Sequence, residues 1–235
     1  MSMKPILFNT DMVRAILDGR KNCTRRIVKP QQLAGLLPDK CKNGEPEEFL
    51  KEKKFMFKPY CDMTDIELIN TAYKTPYQPG DILYVRETWE RFDCCSCEGD
   101  SQGNCPKEPS RNVIDKRGHG CYMYRATDEI YGDARWHPSI HMPKDATRIF
   151  LRVTNVRVER LRDITVEDTL AEGMDKYIRL NGELDENSII TSFIGVWNST
   201  IKKSDLDRYG WDANPWVWVI EFERCEKPEL LESEE

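Results

Sequence analysis

Five basic residues, Arg20, Lys21, Arg25, Arg26 and Lys29, fall within ten positions of the stretch DGRKNCTRRIVKP, with no acid among them. Cations packed this closely around one threonine, Thr24, are suited to holding an anion, with Lys21 and Arg26 on phosphates. A second group is sulfur-based. The stretch CCSCEGDSQGNC and the residues after it place Cys94, Cys97, Cys105 and Cys121 near one another, the first two with C-x-x-C spacing. Four thiolates satisfy tetrahedral zinc, so a structural zinc is one reading of this group and free thiols the other. No motif in the chain requires a cofactor. A third group is WHPSIHMP, a proline-bounded loop in which alternate spacing sets His137, Ser139 and His141 on one side. Such a loop either lines a site or is braced at the surface. Trp136 and Trp211 lie in loops and are the tryptophans best placed to stack on bases, the others reading as core. Asn214, before Pro215, either offers an amide to a pocket or shapes the turn.

The elements that must position these groups are legible as patterns. Asn9 or Thr10 can cap a first helix whose apolar pairs Met12/Ile16 and Val13/Leu17 repeat at i,i+4, and Gly19 stands where a left-handed C-cap is needed. The cationic cluster therefore begins at the carbonyl end of that helix, where positive charge is favoured. QPGDILYVRETW reads as a strand after a Pro-Gly turn, with Leu83, Val85, Glu87 and Trp89 on one face. Glu87 thus points the same way as two core aliphatics. In ATRIFLRVTNVRVERL the apolar parity changes from Ile149, Leu151 and Val153 to Val156 and Val158, which predicts a bulge or bend near Thr154 and Asn155. Thr165 and Asp168 resemble a capping box for a short helix ending at Gly173. Ile189, Phe193, Trp197 and Ile201 stripe another helix, and NPWVWVIEF alternates as a last strand.

Strands and helices do not alternate regularly and no dinucleotide-type glycine loop occurs, so the fold class reads as α+β with a small, mostly antiparallel β-barrel. Residues 1–224 read as a single domain with insertions at about 36–76 and 92–122, followed by an acidic tail, 225–235. The chain carries 41 acidic against 35 basic residues, which argues against a whole-surface nucleic-acid binder but not against a local basic site. No apolar run is long enough for a membrane helix and the N-terminus lacks a signal-peptide pattern, so a cytoplasmic protein with reduced cysteines is expected.

The spacing of Gly19, Lys21, Thr24 and Arg26 resembles the G-x-K-x-x-E-x-R signature of the ASCH domain, a relative of the PUA domain. Four blocks in order extend the likeness to about residue 224: MVRAILDGRKNCTRRIVKP, PGDILYVRETW, WHPSIHMPKDATRIFLRVTNVRVERL and WDANPWVWVIEF. Together they look like the ASCH proteins common in bacteriophages and prophages. The resemblance implies a PUA-like β-barrel with flanking helices, and a cleft lined by the signature loop that takes RNA or a modified nucleoside. One ASCH branch deacetylates N4-acetylcytidine with a lysine, a threonine and a later glutamate. Lys21 and Thr24 match the first two by motif, and Glu87 fits the third by its place on the strand after Pro-Gly-Asp. Thr24 stands where the general signature has glutamate, as in that branch. The chain is also about twice the size of the compact hydrolases.

A threonine hydroxyl attacks only when a base takes its proton, and a lysine serves as that base only where burial or nearby cations favour its neutral form. Arg20, Arg25 and Arg26 would supply such a field if they converge. Glu87 would orient the lysine or protonate a leaving amine, although its charge also favours the ammonium. The same residues fit a binding pocket, and binding of RNA or a modified nucleoside is the expected function. Amide hydrolysis or ribonuclease action is the alternative, and a non-catalytic structural or regulatory phage protein the third.

Overall fold

The computed structural model describes residues 3–28, 76–93, 120–129, 135–174 and 186–228. The two expected insertions and the end of the acidic tail lie largely outside these residues. The described elements are mixed, helices beside mostly antiparallel strands, and give an α+β architecture. Among the described residues the strands do not close into a barrel. The chain divides into two compact units.

The first unit comprises Met1–Asn22, Gly80–Val153 and Phe222–Glu235. Strand β1 (Met3–Leu7) leads into helix α1 (Thr10–Leu17). Asn9 caps that helix by accepting the Met12 N–H at 2.9 Å, and the helix buries Val13, Ala15 and Ile16. Strand β3 (Ile82–Arg86) follows Gly80, whose φ of +88° makes the turn, and runs parallel to β1 with Leu7 opposite Arg86. Pro5 lies in β1, which stands at the edge of the sheet among the described residues; an edge strand tolerates a residue that has no N–H to give. On its other side β3 pairs antiparallel with the start of β6 (Phe150–Arg160). Strands β4 (Trp89–Asp93) and β5 (Gly120–Tyr124) form a separate antiparallel ribbon. Tyr122, Tyr124, Met142 and Ala146 are buried together beneath Trp89.

The second unit comprises Cys23–Pro79 and Thr154–Glu221. It holds β2 (Cys23–Ile27), the later part of β6 and most of β7 (Trp216–Cys225), with β7 antiparallel to β2. Thr154 and Asn155 are both exposed between buried Val153 and Val156, which is the expected parity change, carried within one continuous strand. Helix α2 (Val166–Ala171) is capped by Thr165, which accepts the Asp168 N–H at 3.1 Å. Helix α3 (Glu186–Thr200) buries Ile189, Phe193 and Trp197 on the expected stripe. A short helix α4 (Leu206–Tyr209) precedes β7. The core gathers Cys23, Leu161, Ile164, Met174, Phe193, Trp197, Val217 and Val219. Trp218 and Ile220 are buried as well, so β7 is covered on both faces rather than one.

Candidate functional site

Lys21 owes its position to the end of α1. Gly19 turns the chain with φ +73°, and the backbone N–H groups of Arg20 and Lys21 both donate to the Ala15 carbonyl, at 2.8 and 3.0 Å. The chain folds back and Lys21 becomes 3% exposed. Its Nζ stands 5.5 Å from the centre of the buried Phe8 ring, a cation–π contact that compensates part of the amine's lost hydration. Phe8 in turn packs on Phe222, ring centres 6.1 Å apart.

Glu87 continues the inward face of β3 beyond Leu83 and Val85 and is 1% exposed. A buried carboxylate needs a partner, and Arg148 supplies both hydrogen bonds, Nε to Oε1 at 2.9 Å and Nη2 to Oε2 at 3.0 Å. Burial pushes the Glu87 carboxyl above its ordinary value, Arg148 pulls it back, and Asp128 adds to the rise. The Glu87 N–H meets the Met142 sulfur at 3.1 Å. Arg148 lies 4.0 Å over the Tyr124 ring and also donates to Thr127 Oγ1 at 2.9 Å. Burial likewise pushes the Tyr124 phenol well up, and its hydroxyl donates to the Ala146 carbonyl at 2.6 Å.

Phe8 meets Lys21 through its ring and the strand that leads to Glu87 through its backbone. Its N–H donates to the Arg86 carbonyl at 3.3 Å, just beyond the last β1–β3 pair, Leu7 opposite Arg86. Lys21 thus lies over the Phe8 ring, and Phe8 is tied through its backbone to the residue before Glu87.

Thr24 belongs to the second unit, where it is 1% exposed and its hydroxyl accepts from Arg26 Nη1 at 2.8 Å. Arg26 also donates to the Arg25 carbonyl at 2.9 Å, and burial draws its guanidinium below the usual value against the pull of Glu172 and Tyr77. Arg25 projects from the other face of β2, beside Cys23. Its side chain has no exposed surface and meets Glu159 at 2.6 Å, Asp168 at 3.0 Å and Glu172 at 3.4 Å. Burial opposes its charge, but Glu172, Cys23 and Glu159 outweigh that and hold the guanidinium above its ordinary value. Arg157 bridges Glu159, Asp168 and Glu221 in the same network. Matched by three carboxylates in this way, Arg25 has no surplus charge for a phosphate.

The remaining candidates have their own local contacts. Arg20 pairs with Asp18 at 2.8 Å. Trp136 is half-buried, and exposed His137 exchanges two backbone hydrogen bonds with Trp89, whose ring centre lies 5.1 Å from its own. Residues Ser139–His141 form a 3-10 turn, so alternate spacing does not set His137, Ser139 and His141 on one side; His141 is exposed. Trp211 packs edge-on to Phe193 against the second unit's core. Asn214 takes φ +48°, and its Oδ1 accepts the Arg162 N–H at 2.8 Å, so the amide shapes the turn. Cys121 is half-buried, whereas Cys94, Cys97 and Cys105 lie outside the described residues. Among the described residues no three His, Cys, Asp or Glu side chains are grouped to hold a metal.

Phe8, Tyr124 and Arg148 are the residues that sequence reasoning missed. An inward-facing Glu87 does call for a buried cation, but Arg86, Arg91, Arg125, Arg148 and Arg152 all lie near it in the strand blocks. Pattern alone cannot choose among them. No described helix is long and apolar enough to cross a membrane. Set against known proteins, the chain matches no family model, no curated protein and no solved structure.

Proposed function

We propose that the chain is an ASCH-type protein, with the PUA-like barrel this implies, that binds a modified nucleoside, free or within RNA. Lys21 and Glu87 are its central contacts. One observation supports this reading above the others: the buried Lys21 amine lies over the Phe8 ring, and the buried Glu87 directly follows Arg86, the residue to which Phe8 is hydrogen-bonded. Buried polar groups near an aromatic ring suit a base edge. Glu87 would accept an N–H of the base and Lys21 would donate to a carbonyl or ring nitrogen. Arg25 is committed to Glu159, Asp168 and Glu172, which leaves fewer cations for a phosphate chain. That favours the nucleoside itself over a long RNA strand. Hydrolysis needs a base at Thr24, and the hydroxyl's contact with Arg26 is with a proton donor. Catalysis therefore enters as an outcome of the test.

Calorimetric titration of wild type, Lys21→Ala and Glu87→Gln with cytidine, N4-acetylcytidine and a short single-stranded RNA supplies that test, with circular dichroism as the check on folding. A folded Lys21→Ala protein is expected to lose affinity roughly tenfold or more, the scale of one hydrogen bond to a charged group. Equal binding by wild type and both variants, or none by wild type, removes the reading. Release of cytidine from N4-acetylcytidine by wild type alone would replace binding with hydrolysis.

A further inference from the structure

We infer that Arg148 is a positioning residue for Glu87, a two-pronged clamp that fixes the carboxylate in one orientation and cancels its charge, so that the site selects a neutral N–H donor over a cation. The inference rests on the reading of Glu87 as a ligand contact.

The geometry is that of a clamp held from several sides. Arg148 reaches both Glu87 oxygens at 2.9 and 3.0 Å, a fork that fixes the carboxylate plane as well as its position. The guanidinium is itself constrained. It donates to Thr127 Oγ1 at 2.9 Å, and its central carbon lies 4.0 Å from the Tyr124 ring centre. Tyr124 is tied at both ends, by its hydroxyl to the Ala146 carbonyl at 2.6 Å and by its N–H to Asp128 Oδ2 at 2.7 Å. The turn carrying Thr127 closes on the same residue, with the Thr127 and Asp128 N–H groups donating to the Tyr124 carbonyl at 3.0 and 2.8 Å. A lysine at 148 would keep the charge but not the fork or the stacking. The pairing also sets what Glu87 can recognise. With its charge matched, the carboxylate keeps lone pairs that can accept from an amide or amino group, and a cation gains little there.

Among the described residues, Arg148 and Asp128 act on the Glu87 carboxyl, and Glu87 in turn acts on Tyr124. Of these, Arg148 alone favours the ionised acid. Without it, burial and Asp128 drive the Glu87 carboxyl further up. Binding that needs the carboxylate should then weaken at neutral pH and recover as pH rises, a profile that a purely structural ion pair would not give.

The decisive experiment follows the Glu87 carboxyl by isotope-edited infrared titration in wild type, Arg148→Lys and Arg148→Met, with Glu87→Gln assigning the signal. N4-acetylcytidine binding is measured across the same pH range. The signal is expected to titrate at higher pH in Arg148→Met than in wild type, and in Arg148→Lys between the two. Affinity at pH 7 should fall roughly tenfold in Arg148→Met and return as pH rises. Titration at the same pH in wild type and both variants overturns the inference whether or not any nucleoside binds. If Arg148→Met does not fold, Arg148→Lys decides alone. A shifted titration in a protein whose wild type binds no nucleoside supports the clamp and overturns the nucleoside reading.

Discussion

Arg25 and Arg26 are adjacent and chemically identical, yet the pleat of β2 sends them to opposite faces and gives them different work. Arg26 meets the Thr24 hydroxyl, while Arg25 enters the core side with Cys23 and is enclosed by Glu159, Asp168 and Glu172. The cationic cluster is plain in the sequence. Its neutralisation is not, because Glu159 and Glu172 lie 134 and 147 residues further along the chain. Breaking a buried pair strands the partner charges, so Arg25→Met is expected to cost about 3 kcal/mol of stability in urea unfolding. Arg20→Ala removes the Asp18 pair nearer the surface, a pair that should contribute under about 1 kcal/mol. An Arg25→Met protein as stable as wild type would return that arginine to the set of anion-binding candidates.

At the scale of elements, legibility followed local signals. Side-chain caps at Asn9 and Thr165, the apolar stripe of α3 and the inward face of β3 up to Glu87 were all readable, because each depends on residues within a turn or two. The β1 strand was missed: five residues interrupted by a proline carry almost no period, and only pairing with β3 makes them a strand. The expected run through Trp89 breaks after Arg86, since Trp89 bonds instead with its own ribbon partner β5 and with His137. Such choices are tertiary. The α1 terminus shows how a local signal reaches the site, because its last turn delivers Lys21. Gly19 has φ +73°, and a Cβ placed there would meet nothing within 4 Å, so a substitution there is strained by backbone conformation alone. Gly19→Ala should therefore cost about 1 kcal/mol, and Gly19→Asn less, since asparagine tolerates the left-handed region. Paired urea curves measure both, and an alanine variant no less stable than wild type would refute the C-cap role.

For the molecule as a whole, the acidic balance of −6 conceals local pairing, and the pH dependence of folding is set by individual buried groups rather than by that total. Tyr124 gives the clearest case. Its folded phenol sits above the ordinary value of 10.0 because of burial, with Arg148 opposing and Glu87, Tyr122 and Asp128 adding to the rise. In the unfolded chain the same phenol ionises near that ordinary value. A raised folded value means that the native state keeps a proton the unfolded state gives up. The contribution of Tyr124 is therefore complete below pH 10 and declines as pH climbs beyond it, by about 1.4 kcal/mol per pH unit. Tyr124→Phe removes both this titration and the hydrogen bond to the Ala146 carbonyl. Wild type should accordingly be the more stable by about 1 kcal/mol at neutral pH. That advantage should vanish about one pH unit above 10 and then reverse, because the other tyrosines titrate alike in both proteins. Urea unfolding from pH 8 to 11.5 reads the difference directly. A gap that stays constant across the range would mean that Tyr124 ionises as readily folded as unfolded, and that the polar shell around Arg148 and Glu87 is open to water.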